Sequence, residues 1–234
     1  MTPLHITTHL IPGSTFQHSS IPDVVAASSN GFTATSICSG DINGDSYSDV
    51  LMTGGVHHLN RLYLNDGSGS FTTAADSAST WGITGSLTST PTSCTFADLN
   101  SDGHTDLLIT HRGQPNQLFI HNGDSSTLID EAAARGLASS STITSKTNAA
   151  AIGVLTGDCR LDIHIANDAS SPNEIYSNDG HGYFTENTLF RNLQHQTGAN
   201  TTHSLLLDVD NDYDVSSVRE SEKEMLGCVD VLEG

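Results

Sequence analysis

Two nine-residue segments hold the side chains best suited to chemistry: Asp41-Ile-Asn43-Gly-Asp45-Ser-Tyr47-Ser-Asp49 and Asp98-Leu-Asn100-Ser-Asp102-Gly-His104-Thr-Asp106. In both, oxygen-bearing side chains recur at positions 1, 3, 5 and 9, and Gly44 or Gly103 permits a tight bend. The chemistry this suits is capture of a hard divalent cation. Calcium takes about six to eight oxygens at roughly 2.3–2.6 Å, and a loop wrapped around it supplies side chains from odd positions and a main-chain carbonyl from position 7. Tyr47 and His104 are therefore expected to give carbonyl oxygens, with their rings off the metal. Without the ion, three carboxylates brought so close together repel one another. The plainer reading is a turn rich in Asp and Asn, whose side chains bond their own backbone. That reading accommodates one such segment more easily than two at the same point of a repeat. An EF-hand is excluded, because position 12 holds Met52 or Ile109 where that loop needs a bidentate Glu.

Two further copies are imperfect. Val154-Leu-Thr156-Gly-Asp158-Cys-Arg160-Leu-Asp162 keeps acids only at positions 5 and 9, so tight binding is expected to be lost, with Arg160 filling part of the ion's place. Asp208-Val-Asp210-Asn-Asp212-Tyr-Asp214-Val-Ser216 is rich in acids but breaks at position 9.

Other chemistry is weakly signalled. The 12 histidines, among them His57, His58, His111 and His121, are scattered, without HExxH spacing and without a GxSxG nucleophile elbow elsewhere. They are expected to be solvated loop residues, and the chain is not expected to be an enzyme. Cys38, Cys94, Cys159 and Cys228 form no CxxC pair, which argues against structural zinc, and their placement alone does not establish disulfides. Asn200-Thr-Thr202 is an N-glycosylation sequon.

The elements that must position the acidic loops recur with them. Asn60-Arg-Leu-Tyr-Leu-Asn-Asp-Gly67, Asn116-Gln-Leu-Phe-Ile-His-Asn-Gly123 and Asn173-Glu-Ile-Tyr-Ser-Asn-Asp-Gly180 each read as a short strand entering a hairpin turn. The strands after those turns begin near Phe71, Leu128 and Phe184, and Phe16 falls where an earlier copy belongs; the spacings are 55, 57 and 56 residues. Upstream of each hairpin lies Asp49-Val-Leu-Met-Thr53, Asp106-Leu-Leu-Ile-Thr110 or Asp162-Ile-His-Ile-Ala166. A unit of about 56 residues with several short strands suits a four-stranded propeller blade better than the shorter coil of a β-helix. The alanines of 130–135 favour a helical turn there.

Composition narrows the partners. With 27 Asp plus Glu against 8 Lys plus Arg, the formal charge is −19, which argues against nucleic acid and anionic membrane as ligands. No apolar run approaches the roughly 18 residues of a membrane span, and residues 1–13 lack a secretory signal's basic start and continuous apolar stretch.

The Asp-x-Asn-x-Asp-x-x-x-Asp loops, each followed by a strand and an Asn-x-Leu-Tyr-x-Asn-x-Gly type of hairpin, resemble the FG-GAP/VCBS repeat family, which includes the propeller head of integrin α chains. The hairpin run is similar to that of cartilage acidic protein and its relatives. The resemblance covers about Phe16 to Asp214. It implies an all-β fold of propeller blades, about three complete four-stranded repeats plus partial ones, from a propeller that in the family usually closes with seven. Residues 1–215 would be the repeat region and 216–234 an atypical charged tail. It also implies structural Ca²⁺ held by Asp41, Asn43, Asp45, the Tyr47 carbonyl and Asp49, and in the next blade by Asp98, Asn100, Asp102, the His104 carbonyl and Asp106. In the last loop the ligands would be Asp208, Asp210, Asp212 and the Asp214 carbonyl.

The expected function is that of an extracellular, calcium-binding scaffold for adhesion, matrix or protein recognition, glycosylated at Asn200. Millimolar extracellular calcium matches the roughly 10⁻⁴–10⁻³ M affinities of such modules. The alternative is a lectin-type propeller, which calls for an aromatic pocket in every blade, whereas the chain has one Trp and five Tyr. The partner is expected to be a protein or glycan, with no insertion into a membrane.

Overall fold

The structure is a computed structural model that describes residues 32–74, 80–83, 85, 88, 90–123, 127–137, 147–168, 171–187, 204–207 and 216–218. The strands are β1 (Ala34–Gly40), β2 (Asp49–Gly54), β3 (Arg61–Asn65), β4 (Phe71–Ala74), β5 (Thr90–Ala97), β6 (Asp106–Arg112) and β7 (Gln117–Ile120). They continue as β8 (Ile129–Asp130), β9 (Thr147–Gly153), β10 (Asp162–Asn167), β11 (Glu174–Asn178), β12 (Phe184–Glu186), β13 (Leu205–Leu207) and β14 (Ser216–Val218). They form antiparallel up-and-down sheets in the orders β1-β2-β3-β4, β5-β6-β7-β8 and β9-β10-β11-β12, with β13-β14 as a further pair. The first strands β1, β5 and β9 touch their neighbours in turn, and β13 touches β9. Four-stranded meanders stacked with their first strands side by side are β-propeller blades.

Each second strand is buried on both faces, which explains its nearly continuous apolar run. In β6, Leu107 and Ile109 join Ile42, Leu51, Leu62, Trp81, Ile83, Phe119 and Leu128 in the seam between blades 1 and 2. Leu108, pointing the other way as strand alternation requires, joins Leu99, Leu118, Ile120, Leu137, Ile163, Ile165, Tyr176 and Phe184 between blades 2 and 3. Each first strand carries a bulge, with Thr35, Thr92 and Asn148 as the extra residue. Thr35 and Thr92 satisfy their hydroxyls against Thr53 and Thr110 of the second strand, at 3.0 and 2.9 Å.

A non-local latch joins successive blades. Leu128 N donates to Trp81 O and Phe184 N to Arg135 O, both at 2.7 Å. The next residue is Gly82 or Gly136, with φ of +70 and +79°. A Cβ at either would lie 2.1 or 2.2 Å from the carbonyl oxygen of Leu128 or Phe184, so only glycine fits.

The alanine stretch makes the expected helical turn, closed by Arg135 N to Glu131 O at 3.0 Å, although Asp130 itself belongs to β8. Two other expectations need adjustment. Ser216–Val218, the start of the expected atypical tail, is a strand paired with Leu205–Leu207, in the place of a fourth blade's second strand. His111, in β6, and His121, packed on Trp81, are 2% and 8% exposed, hence buried rather than solvated. Among the described residues no helix is long and apolar enough to cross a membrane.

Candidate cation loops

The acidic loops are the β1–β2 and β5–β6 connections, and the third, incomplete loop is the β9–β10 connection. All three share one backbone. Positions 4 and 6 are left-handed in each: Gly44 and Ser46 (φ +75 and +71°), Ser101 and Gly103 (+60 and +84°), Gly157 and Cys159 (+72 and +61°). Glycine relieves one of the two positions in every loop, and a small residue takes the other.

In the first loop Asp41 Oδ1 accepts from Gly44 N and Asp45 N at 2.8 and 3.1 Å, and Asp41 Oδ2 from Ser46 N at 2.7 Å. Asn43 Nδ2 donates to Asp45 Oδ2 at 2.9 Å, and Tyr47 N to Asp45 Oδ1 at 2.8 Å. The second loop repeats the pattern. Gly103 N donates to Asp98 Oδ2 at 2.9 Å, Asn100 Nδ2 to Asp102 Oδ2 at 2.8 Å and His104 N to Asp102 Oδ1 at 2.8 Å. Asp41, Asn43 and Asp45 thus come together on one loop, and Asp98, Asn100 and Asp102 on the next. Among the described residues, no three His, Cys, Asp or Glu side chains converge closely enough to enclose a metal ion. The donor set still fits a hard cation, since every candidate donor is an oxygen.

The ninth position is a buried acceptor for the backbone. Asp49 is fully buried; its Oδ2 accepts from Ile42 N at 3.1 Å and its Oδ1 from Asn65 N at 2.8 Å. Asp106 does the same with Leu99 N and His121 N at 2.8 and 2.9 Å. Asp162 accepts from Leu155 N and Asn178 N at 3.0 and 2.9 Å, in a loop lacking acids at positions 1 and 3. This carboxylate staples loop, second strand and third strand together, in blade 3 as in blades 1 and 2. Burial raises the Asp49 carboxyl above its ordinary range, with the charges of Asp45 and Asp41 adding to it against the backbone hydrogen bonds. Asp106 is pushed up to about 6 by burial, with Asp102 and Asp98 adding to it.

The seventh side chain covers the glycine of the following hairpin. A Cβ on Gly67 would lie 2.4 Å from the Tyr47 ring, and one on Gly123 2.4 Å from His104 Nε2. Arg160 does the same over Gly180 while its Nη1 stands 3.6 Å from Asp158 Oδ2, so its charge reaches the fifth-position acid. Asn60, Asn116 and Asn173 cap the preceding strand, accepting from Gly54 N, His111 N and Asn167 N at 3.1, 2.9 and 2.8 Å. Asp208, Asp210, Asp212, Asp214 and Asn200 lie outside the described residues.

A disulfide joins Cys38 of β1 to Cys94 of β5, across the seam between the first two blades. Its sequence separation is 56 residues, the length of the repeat itself, and that match is the signal that sequence reading could have used. Cys159 is exposed and outside any disulfide among the described residues.

Residues 41–109 match the model of the FG-GAP-like repeat. The matched span opens on Asp41 and closes in β6, so it contains both acidic loops and all strands between them. Residues 41–109 are an FG-GAP-like repeat. The FG-GAP loops are therefore the two complete ones, while the incomplete Val154–Asp162 loop lies beyond the match. No curated protein matches the sequence. Among solved structures, the chain is similar to the Trypanosoma rangeli sialidase in complex with sialic acid, at 10% identity and a TM-score of 0.45, over 77% of this chain and 28% of that one. It is also similar to an exotype rhamnogalacturonan lyase, at 12% identity and a TM-score of 0.46, over 80% of this chain and 38% of that one. The chain thus spans well under half the length of either, and neither enzyme's substrate is carried over to it.

Proposed function

We propose that this chain is a calcium-stiffened β-propeller module that works outside the cell as a scaffold for recognising a protein or glycan ligand. The observation that carries the reading is the pair of loops inside the FG-GAP-like repeat, with the same backbone, the same internal hydrogen bonds and all-oxygen donors. Asp41, Asn43, Asp45, the Tyr47 carbonyl and Asp49 would hold one ion. Asp98, Asn100, Asp102, the His104 carbonyl and Asp106 would hold the second, and Asp208, Asp210, Asp212 and the Asp214 carbonyl a third. The ion's contribution is charge: it offsets the mutual repulsion of the acids at positions 1, 5 and 9 and so tightens the loop that joins the first two strands of a blade.

The disulfide supports an oxidising, extracellular setting, since such bonds persist there and are rare in the cytosol. The test is thermal unfolding in millimolar calcium and in chelator, for the parent and for the Asp45→Ala/Asp102→Ala variant. At calcium well above a dissociation constant near 10⁻⁴ M, each site should add about 2 kcal/mol to the parent. The variant should lose most of that gain; if it keeps the parent's full difference between calcium and chelator, the reading is wrong.

A further inference from the structure

The hairpin of blade 3 reaches across the seam onto the acidic loop of blade 2. Asn178, 4% exposed, donates Nδ2 to Leu99 O at 2.7 Å and to Leu161 O at 2.9 Å. Its Oδ1 accepts from Gly180 N and Gly182 N at 3.0 and 3.1 Å, so the side chain is locked by its own turn. Leu99 is position 2 of the loop, between the candidate ligands Asp98 and Asn100, and its N–H is already held by Asp106 at 2.8 Å. The residue is thus pinned at both ends. Gly182 sits so close that a Cβ on it would come within 3.2 Å of Asn100 Cβ.

The blade 2 counterpart of Asn178 is His121, in the same place on the hairpin strand and likewise donating its backbone N–H to the ninth-position Asp. It does not supply the same brace to the loop of blade 1. Its Nδ1 is buried without a hydrogen-bond partner, and its ring packs on His104 and Trp81 at centroid distances of 5.2 and 6.4 Å.

We propose that Asn178 is a positioning residue for the cation loop of the preceding blade, so that Asp98–Asp106 holds its ion more tightly than Asp41–Asp49. The inference rests on the calcium reading above and deepens it. A loop held in its binding shape by a neighbour loses less freedom when the ion arrives, and the gain appears as affinity. Blade order then sets affinity order, through a residue that touches no metal.

The test uses the whole chain and terbium, a luminescent calcium substitute, with calcium displacement. An Asp45→Ala background isolates the blade 2 loop, and an Asp102→Ala background the blade 1 loop, each with Asp210→Ala/Asp212→Ala added to silence the third acidic loop. In the first, Asn178→His should weaken terbium binding about fivefold, the worth of one typical hydrogen bond. In the second, His121→Asn should strengthen it by a similar factor. Equal affinities of the two loops, or an unchanged affinity in the Asn178→His variant, overturn the proposal. If that variant does not fold by circular dichroism, the His121→Asn result decides alone: tightening supports the brace and no change refutes it. A parent that binds no terbium overturns the calcium reading itself, a result distinct from two loops that bind equally.

Discussion

Loss of the Cys38–Cys94 bond should cost the fold a large share of its stability. The two cysteines sit on β1 and β5, first strands of adjacent blades that belong to different sheets and share no ladder. Their bond ties the blades covalently. With a separation of 56 residues, the chain-entropy estimate for closing the loop gives about 4 kcal/mol at 25 °C. For a protein of 150–250 residues, each kcal/mol moves the melting temperature by roughly 2–4 °C, so the expected fall is about 8–16 °C. The assay is thermal unfolding by circular dichroism with and without a phosphine reductant, for the parent and for Cys38→Ala/Cys94→Ala. The parent should melt lower when reduced, and the variant should melt low in both buffers. A parent indifferent to reductant, with four titratable thiols after denaturation without reductant, would refute the reasoning.

Other outcomes follow from the same geometry. Asp162→Ala should destabilise the chain by about 3 kcal/mol in chelator, because it leaves buried N–H groups of Leu155 and Asn178 unpaired; urea denaturation will show a loss far smaller than this if the staple is unimportant. Gly136→Ala should cost about 3 kcal/mol, since the new methyl meets Phe184 O at 2.2 Å in a left-handed backbone, whereas an unchanged urea midpoint would rule out the latch. His111 is held neutral by burial, its pKa pushed down from 6.5 to about 4. Between those values the unfolded chain binds a proton that the folded chain refuses, so stability falls as pH drops through the window, by about 3 kcal/mol in all. His111→Gln should remove that loss, and parallel pH profiles for parent and variant would contradict it.

Much of the blade was legible because its signals are local. The hairpin runs ending at Gly67, Gly123 and Gly180, and the strands beginning at Asp49, Asp106 and Asp162, are set by turn chemistry and apolar runs that a self-alignment detects. What escaped notice depends on residues far apart in the chain. Asp49 and Asp106 suit both a cation ligand and a backbone staple, and only the intact staple at Asp162, in a loop short of acids, separates the two tasks. The ring of Tyr47 over Gly67, the Trp81–Leu128 latch and the burial of His121 all need neighbouring strands or blades in register. The alanines before Arg135 favour a helical turn by propensity, and one such turn forms between β8 and the latch at Gly136.

The most direct measurement is calcium stoichiometry by equilibrium dialysis at millimolar free calcium, on the parent and on Asp45→Ala/Asp102→Ala. The parent should retain at least two ions per chain, and the variant two fewer. A parent that holds none, or a variant that holds as many as the parent, would contradict cation capture by these two loops.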